Sequence, residues 1–376
     1  MNRTFILSAK RTAVVPANGA FAGVEAFQLG AGVIRALCDG VAFDPALRIE
    51  IVMGNALYGG GNIARVAALA AGLSERIPAM TIDTQCCSGL DAIALGRSRI
   101  MSGDADIVIA GGIESFSRAP LRQIRPAIAG EAPRYYKRPP FTPWPERDPD
   151  LTEAAATLAI RLQITRAAQE TYAMASHRKA LQTGSTAGEV VEIAGIARDQ
   201  FARRLSPQLC ARLPWLVGET PYDLTAATIA VEADAAAAVL IASEPASAYF
   251  KLPFHPIEIV GAASHGFDPS RPALAPIGAA QEVLGKHGVV LGHLTAVEIM
   301  EAYAVQAQAF VDALAIDPAV VNRGGGALAR GHPIGASGAI LAVRLFHELQ
   351  RENEGATGLA AIAAAGGLGS AMLLRR

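Results

Sequence analysis

The chain of 376 residues carries 33 lysines and arginines against 34 aspartates and glutamates, which gives a formal net charge of −1. Apolar residues make up 51% and charged residues 18%, a balance that excludes a disordered chain and predicts a large buried core. The near-neutral charge argues against a nucleic-acid-binding protein, and the four cysteines are too few for a disulfide scaffold.

The sequence shows no pattern of a targeting or membrane segment. The first ten residues lack the apolar stretch of a signal peptide. The longest apolar run, 358–374, is interrupted by glycines and is shorter than the ~20 residues of a membrane-spanning helix, so it predicts two buried strands and a turn. We therefore expect a cytoplasmic protein without a membrane partner. Because no cysteine or histidine spacing matches a zinc site, we also expect no metal.

Residues 1–117 alternate short apolar runs with alanine-rich stretches, a pattern typical of βα units around a buried sheet. Strands are predicted over 51–54 and 106–110. A helix is predicted over 88–101, and it is apolar on more than one side, so it should be buried. Residues 118–150 mix seven cations with eight prolines. That proline density excludes helices and central strands and predicts a long loop excursion.

A helical pattern returns over 151–181, and an alanine-rich segment leads into a predicted strand at 238–242. A second αβ region follows from Phe254 to Arg376. The apolar, glycine-containing segment at its end resembles the segment around 108–115. This repetition indicates an internal duplication of one αβ unit.

The segment Thr84-Gln-Cys-Cys-Ser-Gly-Leu90 lies between a strand-like approach and the predicted helix. Unpaired backbone N–H groups and the helix dipole at such a junction stabilise a thiolate and lower the pKa of a cysteine there. A thiolate attacks acyl carbonyls, and the same N–H groups can hold the oxyanion that forms. The alternative is a buried structural cysteine, which is the commoner role of this residue.

The segment Gly324–Gly338 contains six glycines, His332 and Pro333 in fifteen residues. This composition predicts a loop in which the main chain approaches another group closely, with His332 placed as a hydrogen-bond donor or base. The alternative is a helix-entry loop that contains the histidine incidentally. A dinucleotide or phosphate loop fits less well, because neither the GxGxxG spacing nor a Gly-Lys-Ser/Thr sequence is present.

Together these two segments resemble the thiolase family, and smaller matches at Gly111–Ser115 and Ile164–Gln169 extend the resemblance to nearly the whole chain. The resemblance implies an α/β fold of five αβαβα layers built from two duplicated halves, with an inserted loop domain. The expected N-terminal half comprises 1–117 and 151–245, interrupted by the excursion 118–150. The expected C-terminal half comprises 246–376.

The resemblance also implies the roles of individual residues. Cys86 corresponds to the acylated cysteine, because Ser88-Gly89-Leu90 sets the register, and His332 corresponds to the histidine that activates it. Backbone N–H groups of Cys86 and Ala365 would form the oxyanion hole. The substrate would be an acyl-CoA thioester with no further cofactor, and the protein a homodimer or homotetramer. The arginine-rich excursion falls where the family contacts coenzyme A phosphates and sister subunits.

Three parts of the family's site differ in this sequence. The second catalytic cysteine, which acts on the carbon acid, is replaced by Ala363, and the asparagine that helps to hold an oxyanion-stabilising water is replaced by Met300. The Gly-Asn-Ala-Ser-Gly stretch that lines the pantetheine tunnel reads Ala-Thr-Ile-Ala-Val over 227–231. These changes remove acid/base and oxyanion groups from carbon–carbon chemistry and leave the groups for acyl transfer.

Three hypotheses follow. The chain is a thiolase-like acyltransferase that forms an acyl-Cys86 intermediate and passes the acyl group to an acceptor. Alternatively, it is an acetyl-CoA acetyltransferase or β-ketothiolase despite the replacements. The third possibility is a non-catalytic subunit that keeps the fold for assembly. The presence of both Cys86 and His332 favours the first two.

Overall fold

A computed structural model of the chain describes residues 3–41, 43–183, 188–250 and 255–376. The expected start of the second αβ region, Phe254, lies outside these residues. Fifteen strands are present in the described residues. They are β1 Thr4–Thr12, β2 Val15–Pro16, β3 Ile49–Gly54, β4 Ala79–Ile82, β5 Ile107–Glu114, β6 Arg122–Ile124, β7 Arg134–Tyr136, β8 Val190–Val191, β9 Trp215–Val217, β10 Leu224–Thr225, β11 Ala233–Ser243, β12 Ile257–Gly266, β13 Leu294–Ile299, β14 Thr357–Ala364 and β15 Leu368–Arg375.

The same ranges of the chain form eleven α-helices. They are α1 Ala26–Cys38, α2 Ile63–Ala70, α3 Ser88–Met101, α4 Leu151–Leu162, α5 Arg166–Thr183, α6 Pro207–Cys210, α7 Glu244–Ser247, α8 Ala275–Lys286, α9 Ala304–Ala313, α10 Ala327–Arg330 and α11 Ile334–Leu349. None of the described helices combines the length and the hydrophobicity that a bilayer crossing requires.

The strand order shows two similar halves. The main path runs β13-β14-β15-β12-β1-β11-β5-β3-β4. In the N-terminal half β3 is parallel to β5, while β11 and β1 continue antiparallel. In the C-terminal half β13 is parallel to β14, while β15 and β12 continue antiparallel. The same order with the same directions is the result expected from duplication of one αβ unit.

Five layers stack around this arrangement. Helices α1 and α2 pack on the outer face of the N-terminal strands, through a core that includes Leu29 and Ile109. Helices α8 and α9 pack on the outer face of the C-terminal strands, through Val283 and Phe310 among others. Helices α3 and α11 lie between the two sets of strands, in one continuous apolar core. The layer sequence αβαβα is therefore present as predicted.

The two central helices approach each other closely at glycines. A Cβ atom on Gly89 of α3 would lie 2.7 Å from the backbone nitrogen of Ala339, and one on Gly338 of α11 would lie 2.6 Å from that of Leu90. Neither contact leaves room for a side chain, so both positions require glycine. This approach brings the N-terminal ends of α3 and α11, and the residues that precede them, into the same region of the molecule.

Several sequence predictions need correction at their edges. The excursion 118–150 contains a short antiparallel hairpin of β6 and β7, because Pro126 and Pro133 flank its turn and leave the short strands free of proline. The helical pattern over 151–181 is two helices, α4 and α5, because Gln163 adopts the left-handed conformation with φ of 57° and ends α4. The helix 88–101 and the two terminal strands are confirmed.

Candidate active site

Cys86 lies in a single 3₁₀ turn, Gln85–Cys87, between the end of β4 and the start of α3. Gln85 has a positive φ of 54°, and the Ser88 hydroxyl donates to the Gln85 carbonyl oxygen and accepts from the backbone N–H of Thr84. These two hydrogen bonds close the turn against the helix. Cys86 is half-buried and faces a cavity, whereas the neighbouring Cys87 is fully buried and packs in the core.

His332 follows α10 and precedes α11, so a glycine and a proline fix it on both sides. Gly331 has a φ of 117°, and the backbone N–H of His332 donates to the carbonyl oxygen of Val231. The ring projects towards the N-terminal half, and its Nε2 lies 3.2 Å from the Sγ of Cys86. The two candidate residues, 246 positions apart in sequence, are therefore in direct contact.

Ser337 determines which nitrogen of His332 carries the proton. Its hydroxyl lies 2.6 Å from Nδ1 of His332 and donates its own hydrogen to the carbonyl oxygen of Pro333 at 3.1 Å. Because that hydrogen is used, the Ser337 oxygen accepts from Nδ1–H. The Nε2 atom is then unprotonated and accepts from the Cys86 thiol.

The protonation of this pair differs from the sequence prediction. Burial raises the pKa of the Cys86 thiol to about 12, although the backbone N–H groups of Ala365 and Cys86 oppose that shift. Burial lowers the pKa of His332 to about 4. The prediction of a lowered thiol pKa at the helix entrance is wrong, because loss of hydration outweighs the N–H groups. At neutral pH the resting pair is a neutral thiol and a neutral imidazole.

The predicted oxyanion donors meet at the sulfur. Backbone N–H groups of Ala365 and Cys86 both form hydrogen bonds to it. Ala365 directly follows β14 and is not among the residues with positive φ; Gly366 and Gly367 adopt that conformation, at 79° and 77°. Alanine at position 365 is therefore accommodated without backbone strain.

The two positions at which the sequence analysis predicted replaced family residues, Ala363 and Met300, lie in different places. Ala363, on β14, lines the same cavity as Cys86 and His332, so the residue predicted to replace the family's second cysteine presents a methyl group to that cavity. Met300 is only 3% exposed, packs in the central core and borders a separate void of about 20 Å³ beside Ser337. The structure thus brings Cys86, His332, Ala363 and Ala365 together and leaves Met300 outside the cavity.

The cavity above Cys86 has a volume of about 350 Å³ and is mostly apolar. Its walls come from α4, from residues 229–232 and 270–274, and from the first turn of α9. Exposed arginines at its edge are Arg161 and Arg271. None of the described arginines in the excursion 118–150 lines it: Arg138, for example, pairs with Asp148, and Arg122 donates to the Ala56 carbonyl oxygen.

A buried carboxylate connects the loop that carries His332 to the neighbouring loops. Glu114, at the end of β5, accepts hydrogen bonds from the backbone N–H groups of Gly335, Ala56 and Leu57 and from the Asn55 side chain. Burial raises the pKa of Glu114 to about 7, against the effect of these backbone N–H groups. Glu114 therefore positions the start of α11, three residues after His332.

Sequence reasoning did not assign roles to Ser337, Glu114, Thr152 or Gln306, although the first three lie beside predicted features. Tyr303 and Gln306 line the cavity three residues apart, and this spacing places them on one face of the α9 start. Within the described residues, no group of three histidine, cysteine, aspartate or glutamate side chains is arranged to hold a metal ion.

Comparison with known proteins gives consistent matches along the whole chain. The model of the thiolase N-terminal domain matches residues 4–245, and that of the thiolase C-terminal domain matches residues 255–376. YhfS of Bacillus subtilis, provisionally named acetyl-CoA C-acetyltransferase, is 36% identical over 374 residues, which are 98% of each chain. FadA6 of Mycobacterium tuberculosis, a steroid 3-ketoacyl-CoA thiolase, is 33% identical over 390 residues, covering 100% of this chain and 95% of FadA6.

A solved structure shows the same similarity in three dimensions. The Acat5 thiolase from Ascaris suum, determined in complex with coenzyme A, matches with a TM-score of 0.90 and 30% identity, covering 100% of both chains. Sequence, domain order and the fold of both halves therefore agree, and the chain belongs to the thiolase family.

Proposed function

We propose that this member of the thiolase family of acyltransferases takes an acyl group from an acyl-CoA thioester onto Cys86 and passes it to an acceptor. The observation that supports this most strongly is the 3.2 Å contact between Cys86 Sγ and His332 Nε2, with Nδ1 held by Ser337. A nucleophile, its base and the group that orients the base form the arrangement that covalent acyl transfer requires.

The acylation step follows from the protonation of the pair. As Cys86 Sγ attacks the thioester carbonyl carbon, its proton moves to His332 Nε2, and the carbonyl oxygen becomes an oxyanion within reach of the N–H groups of Cys86 and Ala365. Collapse of this intermediate breaks the carbon–sulfur bond to coenzyme A. His332 returns the proton to the departing sulfur, which leaves acyl-Cys86 and free coenzyme A.

Carbon–carbon bond formation or cleavage lacks comparable support. That reaction moves a proton to or from the carbon next to a thioester carbonyl, and Ala363 offers only a methyl group where the family has a thiol. Met300 donates no hydrogen bond from its side chain and lies outside the cavity. Loss of a general acid–base group typically costs about 10²–10⁴ in rate, and loss of an oxyanion donor about 10²–10³.

The cavity also suits a coenzyme A thioester. The Acat5 neighbour was solved with coenzyme A, and the apolar cavity here ends at two exposed guanidinium groups, Arg161 and Arg271, which can receive phosphates at the rim. We propose acyl-CoA as the donor substrate, with no additional cofactor. Assembly as a homodimer or homotetramer is part of the same proposal and rests on the family resemblance.

Intact-protein mass spectrometry tests the proposal. Wild-type protein incubated with acetyl-, butyryl- and octanoyl-CoA should gain the mass of one acyl group, and peptide mapping should place it on Cys86. The Cys87→Ser variant is the matched control and should still be acylated, because Cys87 lies in the core. Cys86→Ala should show no adduct. If wild type also remains unmodified with every thioester, the proposed acyl transfer is refuted.

A further inference from the structure

Three of the neutral polar side chains that line the mostly apolar cavity come from the starts of α4 and α9. Thr152 lies in the first turn of α4, Tyr303 immediately precedes α9, and Gln306 lies in the first turn of α9. None of these residues contacts Cys86 or His332 through a hydrogen bond, so the acylation step described above does not use them. Their grouping on one wall requires a separate explanation.

Gln306 is the most informative of the three. The residue is only 5% exposed and lines the cavity, its side-chain amide makes no hydrogen bond to another described residue, and the amide atoms keep access to the cavity space. Buried amides are almost always hydrogen-bonded, because an unpaired one loses its hydration without compensation. Because the Gln306 amide opens onto the cavity and is free of described protein partners, a molecule that fills the cavity and displaces its water must supply a hydrogen bond to avoid that loss.

Tyr303 and Thr152 add hydroxyl groups to the same wall. Their oxygens lie 3.2 Å apart and share one hydrogen bond, which leaves each hydroxyl with capacity for another. Burial, with a smaller contribution from the Asp150 carboxylate, raises the pKa of Tyr303 to about 12, although the Thr152 hydrogen bond opposes the shift. Tyr303 is therefore a neutral donor at physiological pH.

The distribution of charge along the cavity indicates which part of a substrate reaches this wall. Arg161 and Arg271 are exposed at the rim, and the single carboxylate among the described lining residues, Glu232, is exposed as well. The wall itself is formed by Thr152, Tyr303 and the buried Gln306, none of which carries a charge. Since a buried charge needs a counter-charge, the wall suits a neutral polar group rather than a carboxylate or phosphate.

Building on the proposed acyl transfer, we propose that Thr152, Tyr303 and Gln306 form a subsite for a neutral oxygen on the acyl chain. The ligand class is an acyl-CoA that carries a ketone or hydroxyl at carbon 4 or beyond, which the amide and hydroxyl groups bind as hydrogen-bonding partners. A plain aliphatic chain leaves the Gln306 amide unpaired and binds less tightly for that reason.

Titration calorimetry on the Cys86→Ala background measures binding without turnover. The probes are hexanoyl-CoA, 4-oxohexanoyl-CoA, 5-oxohexanoyl-CoA and 6-hydroxyhexanoyl-CoA, which share the same coenzyme A portion. We expect at least one oxygenated thioester to bind about tenfold more tightly than hexanoyl-CoA, the effect of one buried hydrogen bond. Gln306→Met should reduce this ratio to near one, and Tyr303→Phe, which removes only a hydroxyl, should reduce it in part.

Gln308→Met is the matched control, because Gln308 lies on the same helix, donates to the Ala168 carbonyl oxygen and does not line the cavity. The Gln308→Met variant should bind the oxygenated thioester more tightly than hexanoyl-CoA by the same ratio as the protein with both glutamines intact. A ratio of one for every probe with Gln306 intact overturns the subsite. Equal weakening of hexanoyl-CoA and its oxygenated analogues by Gln306→Met also overturns it, since that result places the amide against the shared coenzyme A portion.

The two proposals fail in different ways in this design. If acyl-CoA binds with the expected selectivity but wild type forms no adduct on Cys86, acyl transfer is refuted and the subsite stands. If the adduct forms and the binding ratio is one, the subsite alone is refuted.

Discussion

Two parts of the cavity lining differ in the chemical groups that they present. The residues proposed for acyl transfer, Cys86, His332 and Ser337, form a connected chain of hydrogen bonds, with the N–H of Ala365 directed at the sulfur. At the position that the resemblance assigns to the family's second cysteine, Ala363 presents only a methyl group to the same cavity. Under the proposed function, this difference means that the two half-reactions depend on separable groups, and the following experiments test that separation.

The largest expected effect comes from removing the base. His332→Ala should slow acylation of Cys86 by about 10²–10⁴, because the neutral thiol then has no acceptor for its proton. Time-resolved intact mass spectrometry with butyryl-CoA measures this rate. His255→Ala, a change at an exposed histidine, should leave the rate at the wild-type value. An unchanged rate in His332→Ala would show that the 3.2 Å contact has no role in acylation.

The role of position 363 can be tested by introducing a thiol there. Ala363→Cys places a thiol on the cavity wall, and we expect cleavage of acetoacetyl-CoA by coenzyme A to rise about 10²-fold above the wild-type background, the lower range for a general acid–base group. Ala363→Ser is the control, since a hydroxyl is far too weak an acid to replace the thiol, and it should show no gain. Efficient cleavage of acetoacetyl-CoA by the wild-type protein would show that Ala363 does not prevent carbon–carbon chemistry.

A smaller effect is expected at the group that orients the base. Ser337→Ala removes the acceptor for Nδ1–H of His332 and should reduce the acylation rate about tenfold, in line with about 1–1.5 kcal/mol for one hydrogen bond. The affinity for the thioester, measured on the Cys86→Ala background, should not change. A loss of affinity with an unchanged acylation rate would contradict the orienting role.

The smallest effect concerns pH. His332 acts as a proton acceptor only when neutral, and its pKa is lowered to about 4, so it loses this function only as pH falls through that value. Since the thiol transfers its proton directly, the acylation rate should be level from about pH 5 to 8. An acid limb near the ordinary histidine pKa of about 6.5 would contradict the burial of the pair. Because the pKa of Glu114 is raised to about 7, its titration could change the acylation rate near that pH. The pH profile of the Glu114→Gln variant, which lacks this titration, serves as the control.

Local sequence patterns predicted much of the fold. Helix α3 and the strands β14 and β15 follow directly from apolar periodicity and glycine positions, and the duplication left a detectable repeat. The division of 151–181 into α4 and α5 was missed, because nothing in the sequence distinguishes the left-handed Gln163 from a helical residue. Short strands in the excursion were missed because its proline density was taken to exclude regular structure, although none of the eight prolines lies within β6 or β7.

The candidate site was predictable only through two segments with unusual composition. Cys86 and His332 were identified because each lies in a motif, but their contact depends on the close packing of α3 and α11 at Gly89 and Gly338. The direction of the Cys86 pKa shift depends on burial by residues from both halves, which local sequence does not report. Gln306 has no local signal beyond its spacing from Tyr303, since its burial is a property of the assembled cavity.

One pair of rates on a single preparation tests the separation of the two half-reactions most directly. Exchange of isotopically labelled coenzyme A into butyryl-CoA reports formation and reversal of acyl-Cys86, and thiolysis of acetoacetyl-CoA reports carbon–carbon cleavage. We predict measurable exchange that disappears in Cys86→Ala, together with thiolysis at the uncatalysed rate. Thiolysis as fast as exchange, or no exchange at all, would contradict the account.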